Sequence, residues 1–158
     1  MPQSFRVAAI PTKVADLVRC TMRSPGYGHP AHAEVATGYG PSRHCLRDFL
    51  VGKERRILFT YDPFHNFEGL PLPGPIFIHE DACERFPDAA GFPADIRRHR
   101  LTFVAYGTGR RLITEEHLEN GEAEPLIARL LERNDVQYLH VRDTEAGCYD
   151  LRVDRVPG

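Results

Sequence analysis

Short apolar and alternating runs, separated by stretches rich in Gly and Pro, recur along this chain and predict more strands than helices. Residues 5–10 form an apolar run of strand length. After it, Val14, Leu17, Val18 and Met22 recur at helical spacing, with Thr12 placed to cap the helix and Ser24-Pro25-Gly26 to break it near Arg23. Residues 25–41 read as a long Gly, Pro, His and Tyr loop holding a short strand at 33–36. Residues 45–50 suit a helical turn that Gly52 would end, ahead of an apolar strand at 56–61. A linker at 62–73 leads to a strand at 75–79, and residues 81–86 suit another helical turn.

In the second half, strands at 101–106 and 110–114 flank Gly107-Thr108-Gly109, a tight turn in which Gly supplies positive φ. Leu126, Ile127, Leu130 and Leu131 share one helical face, with Asn120 or Gly121 as the start and Glu122 and Glu124 near the positive end. Residues 137–142 and 149–153 make a second hairpin through Thr144-Glu145-Ala146-Gly147. Most strand connections are too short for a helical crossover. The fold expected is therefore α+β, a mainly antiparallel sheet with two main helices packed on one face, in a single domain over 1–158.

Composition narrows the function classes. The chain has 158 residues, 42% hydrophobic and 27% charged, enough for one packed core and too apolar for disorder. With 20 basic against 22 acidic residues and a net charge of -2, no general attraction to nucleic acid or anionic lipid is expected. Arg6, Lys13, Asp16 and Arg19 interrupt the N-terminal apolar runs before signal or membrane-span length, so a cytoplasmic protein is expected. Cys20, Cys45, Cys83 and Cys148 lack the close pairing of a zinc ribbon and read as reduced thiols.

The chemistry-bearing residues fall in three segments: Arg43-His44-Cys45, His79 to Cys83, and His140-Val141-Arg142 leading to Cys148. Alternation puts Tyr138, His140 and Arg142 on one strand face and Leu139 and Val141 on the other. On the following strand it places Cys148, Asp150, Arg152 and Asp154 opposite Tyr149, Leu151 and Val153. The polar face is either a solvated side of the sheet or a pocket wall under the 25–41 loop. Arg43, Arg142, His44 and Tyr138 are the expected ligand-binding residues for a carboxylate or phosphate. Catalysis would draw on His140 or His79 as acid/base and on Cys45 as nucleophile. A zinc set of His79, Cys83, His140 and Cys148 is disfavoured, because a strand-to-turn change would separate the first two. His79-Glu80 also lacks the second His of the HExxH motif, and no metal or cofactor is expected. The arginines at 97, 98, 100, 110 and 111 mix with acids in a solvated surface.

Taken together, Pro41-Ser42-Arg43-His44-Cys45-Leu46, the strand into Tyr61, Gly74-Pro75-Ile76-Phe77-Ile78-His79, and His140-Val141-Arg142 with Gly147-Cys148-Tyr149 resemble a known family. It is the family of small, mostly bacterial proteins called domain of unknown function 1203. The resemblance spans residues 5–155, and the Gly-Pro-Ile-Phe run is among its most specific parts. Where the family pattern has Pro-Cys-Arg, this chain has Pro41-Ser42-Arg43, with Cys45 close by. The resemblance implies a bacterial single-domain protein and carries no reaction and no site residues. The leading expectation is a binding module for a small anion. The alternatives are a small enzyme using His or Cys45, and a protein-interaction module that forms a homodimer through a sheet edge.

Overall fold

The computed structural model describes residues 5–38, 40–64, 71–119 and 122–156, and divides into two compact units. One unit comprises residues 1–9 and 86–158; the other comprises residues 10–85.

In the first unit, β1 (Phe5–Ala8), β5 (Leu101–Tyr106), β6 (Leu112–Leu118), β7 (Tyr138–Asp143) and β8 (Tyr149–Arg155) form an antiparallel sheet in the order β1-β8-β7-β5-β6. Its apolar face follows from strand alternation: Val141 lies between Phe103 and Leu151, and Leu139 between Ala105 and Val153. All six are buried, each side chain of Val or Leu size contributing about 1.5–3 kcal/mol by leaving water. Helix α2 (Ala123–Leu131) buries Ala123, Leu126, Ile127 and Leu130 and is tied to β6 by a bidentate Arg129–Glu116 ion pair. The residues assigned to its start, Asn120 and Gly121, lie outside the described ones.

The second unit holds α1 (Thr12–Thr21) and an antiparallel sheet of β2 (His32–Val35), β3 (Arg55–Tyr61) and β4 (Gly74–His79) in that order. Helix α1 begins after Pro11, whose fixed φ suits a helix entry, so Thr12 is the first helical residue and its hydroxyl makes no cap. The helix ends at Met22 in the left-handed region.

The expected α+β arrangement is not what forms. Among the described residues the protein is mostly antiparallel β in two sheets, with two short α-helices of 10 and 9 residues, one in each unit. Periodicity detected most of the elements, though the strand expected at 110–114 runs Leu112–Leu118. Which strands share a sheet is a long-range pairing: β2 closes on β3, so 32–35, 55–61 and 74–79 complete a sheet of their own. Local turns also differ. The expected helical turn at 45–50 is replaced by a tight turn at 43–45, closed by Leu46 N–H donating to the Ser42 carbonyl at 2.9 Å. Leu46 itself is left-handed, with φ of 59°. Residues 81–86 form no helix. In the hairpin turn, Gly109 has positive φ, whereas Gly107 is required because a Cβ there would lie 2.6 Å from the Asp135 carbonyl oxygen.

Candidate functional site

Two strand ends and one turn build a polar centre in the second unit. Antiparallel pairing of β3 with β4 sets Arg56 opposite His79, and Glu80 N–H donates to the Arg55 carbonyl. Glu54, which immediately precedes β3, is thereby brought beside His79. The 43–45 turn docks on β4 through a parallel bridge between Ser42 and Phe77, with Arg43 N–H donating to the Phe77 carbonyl at 2.9 Å. Cys45 is carried to the same strand end. Cys83 follows four residues after His79 in an irregular stretch.

The result is a chain of polar contacts. Cys45 Sγ lies 3.4 Å from His79 Nδ1, and His79 Nε2 lies 3.1 Å from Glu54 Oε2. The other carboxylate oxygen of Glu54 accepts the Leu50 N–H at 2.8 Å, fixing its orientation. On the far side, Cys83 Sγ is 3.2 Å from His44 Nδ1, and His44 Nε2 is 2.9 Å from Thr12 Oγ1. Arg19 donates to the His79 carbonyl at 3.0 Å and to Cys83 Sγ at 3.5 Å. Thr12 and Arg19 are seven residues apart, two turns of α1, and so share the helix face that meets this centre. Cys45, His44 and His79 are buried, Cys83 is half-buried and Arg47 is exposed.

The electrostatics follow from these neighbours. The Cys45 thiol is held far below the usual thiol range: Cys83 donates to its sulfur first, then His79, and the Arg47 backbone N–H adds to them, together outweighing burial. Ser42 helps in the same direction, although its buried Oγ meets no hydrogen-bond geometry. Cys83 is pushed up, because its proton is held against the Cys45 sulfur in a buried place. Burial alone would lower His79, but the Cys45 sulfur and the Glu54 carboxylate outweigh it and raise the imidazole. His44 is lowered, by burial and then by the Arg19 charge. Cys45 is therefore the thiolate and Cys83 the thiol. His79 bridges Cys45 through Nδ1 and Glu54 through Nε2, and His44 bridges Cys83 through Nδ1 and Thr12 through Nε2.

The ligand atoms of Cys45, His79 and Cys83 lie within 4.8 Å of one another, close enough for one soft metal ion. Two guanidiniums compete with that use: Arg19 donates to Cys83, and Arg47 donates to Cys45 from its side chain. Positive charge beside both sulfurs favours an anionic sulfur and opposes a divalent cation.

The nominated residues divide between the units. Arg43, His44, Cys45 and His79 belong to 10–85, and Tyr138, His140 and Arg142 to 86–158. Arg43 is buried and donates to the Pro41 carbonyl at 2.6 Å, bracing the turn that carries Cys45. His140 sits among the rings of Tyr149, Tyr106 and Tyr138 at 5.0, 5.2 and 5.3 Å between centroids. Burial, then the charges of Arg142, Arg152 and Arg110, push its pKa down to about 3. Tyr149 reaches this face because the β7–β8 register shifts after Val141, pairing Arg142 with Tyr149 and skipping Asp150. Strict alternation had placed Tyr149 with Leu151. Apart from these two centres, a cavity of about 440 Å³ in the second unit is lined by Val14, Pro25, Gly26, Tyr27, Tyr61 and Asp62.

Sequence reasoning missed Glu54, Arg19, Arg47 and Thr12, and set Cys83 aside. Glu54 was findable from the hairpin: a carboxylate just before one strand faces the end of its antiparallel partner. Arg19 and Thr12 had only their seven-residue spacing as a signal, and Arg47 none.

Fold and site together define a β-rich protein with a close pair of cysteines, one buried and one half-buried, flanked by two histidines. The family model described as protein of unknown function (DUF1203) matches residues 39–155, and the chain belongs to that family. No curated protein and no solved structure matches the chain. Among the described residues, no helix is long and apolar enough to cross a membrane.

Proposed function

We propose that the protein is a cysteine-dependent enzyme in which the Cys45 thiolate attacks a small electrophile. The observation that carries this reading is the relay Cys45 Sγ, His79 Nδ1, His79 Nε2 and Glu54 Oε2, with steps of 3.4 and 3.1 Å. A nucleophile, a base within hydrogen-bond reach and a third group orienting the base are what thiol nucleophilic catalysis requires. His79, raised and paired with Glu54, stores the proton that a leaving group needs. The Arg47 backbone and side-chain donors stand beside the attacking sulfur, where they favour its thiolate form before it attacks. Only 5% of Cys45 is exposed, which restricts the reactant to a small molecule.

The test is alkylation of the reduced protein by iodoacetamide between neutral and acid pH, with peptide mapping. Cys45 is expected to react at pH 5, where an ordinary thiol is protonated and slow. A Cys45 no more reactive there than the other thiols overturns the proposal.

A second reading, binding of a small carboxylate or phosphate, is supported by the positive charges of Arg142, Arg152 and Arg110 that act on His140 among its tyrosine rings. Thermal melts with inorganic phosphate and with simple carboxylates test it. A raised melting temperature that Arg142→Ala removes supports it, and no shift in the native protein ends it.

A further inference from the structure

The Cys45, His79 and Glu54 relay leaves Cys83 unexplained. Acyl transfer by a Cys–His pair needs no second thiol. Yet Cys83 Sγ lies within 4.8 Å of the Cys45 sulfur. It is also positioned on purpose, between the imidazole of His44 at 3.2 Å and the guanidinium of Arg19 at 3.5 Å. A second thiol so close to a thiolate has one chemical use that a single cysteine lacks, which is to close a disulfide.

We infer that Cys45 and Cys83 form a two-cysteine redox couple whose oxidising substrate is a hydroperoxide, with Cys45 the attacking thiol and Cys83 the resolving one. This rests on the thiolate reading of Cys45 and names its substrate class. Cys45 Sγ attacks one peroxide oxygen and the O–O bond breaks. Its electron pair leaves on the other oxygen, which takes the proton of the His79 imidazolium and departs as water or an alcohol. Cys45 is oxidised to the sulfenic acid while the peroxide is reduced. Cys83 then gives up its proton and its sulfur bonds to Cys45 Sγ. The S–O bond breaks, and the departing hydroxide combines with that proton as water. A dithiol reductant returns two electrons and two protons to the disulfide.

Three features fit this sequence of steps. A peroxide group is small enough to reach a cysteine that is only 5% exposed as a residue. The guanidiniums of Arg19 and Arg47, beside the two sulfurs, offset the negative charge that builds on the departing oxygen. Cys83 lies outside helix and strand in the stretch from 80 to 86, so its sulfur can close the remaining distance to the bonded length of about 2.05 Å without breaking a ladder.

The full chain, reduced and freed of reductant, is treated with equimolar hydrogen peroxide at pH 7 and followed by intact mass, peptide mapping and a sulfenic-acid-specific dione probe. The native protein is expected to lose two hydrogens and to yield a Cys45–Cys83 linked peptide. Oxidation should be on the order of tenfold faster than that of free cysteine, of which a few per cent is thiolate at this pH. Cys83→Ser should stop at the probe-labelled sulfenic acid on Cys45, and Cys45→Ser should show neither product. Native protein that alkylates at Cys45 at pH 5 yet forms no linked peptide sinks the redox couple and leaves the thiolate reading intact. Protein whose Cys45 is unreactive to both reagents sinks both readings. So does protein that carries stoichiometric zinc and releases its thiols only to a chelator. The linked peptide is read in the native chain, so a variant that fails to fold does not blunt the test.

Discussion

His79 and His140 occupy comparable places, each buried on a β-strand among aromatic or polar neighbours, and the sequence offers them as equal acid/base groups. Their surroundings make them opposites. Burial lowers His79, but the Cys45 sulfur and the Glu54 carboxylate flanking it outweigh that and raise it, which favours its charged form. His140 is surrounded by tyrosine rings and the charges of Arg142, Arg152 and Arg110, and with its pKa near 3 it stays neutral at any physiological pH. Burial acts against the charged form in both; the sign of the neighbouring charge decides which histidine can do proton chemistry. His140 instead serves as a flat aromatic partner in its pocket, where a neutral ring costs least.

The largest change expected is from Cys45→Ser, which should abolish rapid alkylation at pH 5, a loss of about a thousandfold or more, as for removal of a nucleophile from its relay. His79→Gln should come next. Without the imidazolium, Cys45 moves back toward the ordinary thiol value of about 8.5, and its alkylation rate at pH 6 falls by about a hundredfold. The pH–rate profile distinguishes this from unfolding: in the native protein the rate stays high down to acid pH, where the thiolate finally protonates, while in the variant it rises only above neutrality. Glu54→Gln should reproduce that shift on a smaller scale, about tenfold at pH 6, because it removes one of the two groups that raise His79.

The smallest effect sharpens the other side of the comparison. His140→Phe should leave Cys45 alkylation unchanged and alter only how stability depends on pH. In the folded chain His140 titrates near 3 and in the unfolded chain near 6.5, so between those values the unfolded state binds the extra proton. Its contribution is full above about 6.5 and is lost as pH falls toward 3. Melting temperatures at pH 7 and pH 4 should therefore differ less in His140→Phe than in the native protein. An equal difference would mean that His140 is protonated in the fold and that the contrast with His79 is wrong.

Much of the molecule was legible in local pattern. The strands at 101–106 and 75–79, the helix carrying Leu126, Ile127 and Leu130, and the shared face of Tyr138, His140 and Arg142 all follow from side-chain period and turn residues. Two features were not. The division into two sheets depends on β2 choosing β3, and the placing of Tyr149 beside His140 depends on a bulge; neither leaves a mark on hydrophobic period.

By itself, the sequence determined about where most strands and the two helices lie, which residue types could do chemistry and to which family the chain belongs. Only the tertiary structure decided which of those residues meet. Cys45 and His79 are 34 positions apart and His44 and Cys83 are 39 apart, and they are joined by strand register and by one parallel bridge at Ser42 and Phe77. Tertiary contact also decided their charge states, because a pKa depends on the groups within a few ångströms, and those neighbours come from distant parts of the chain.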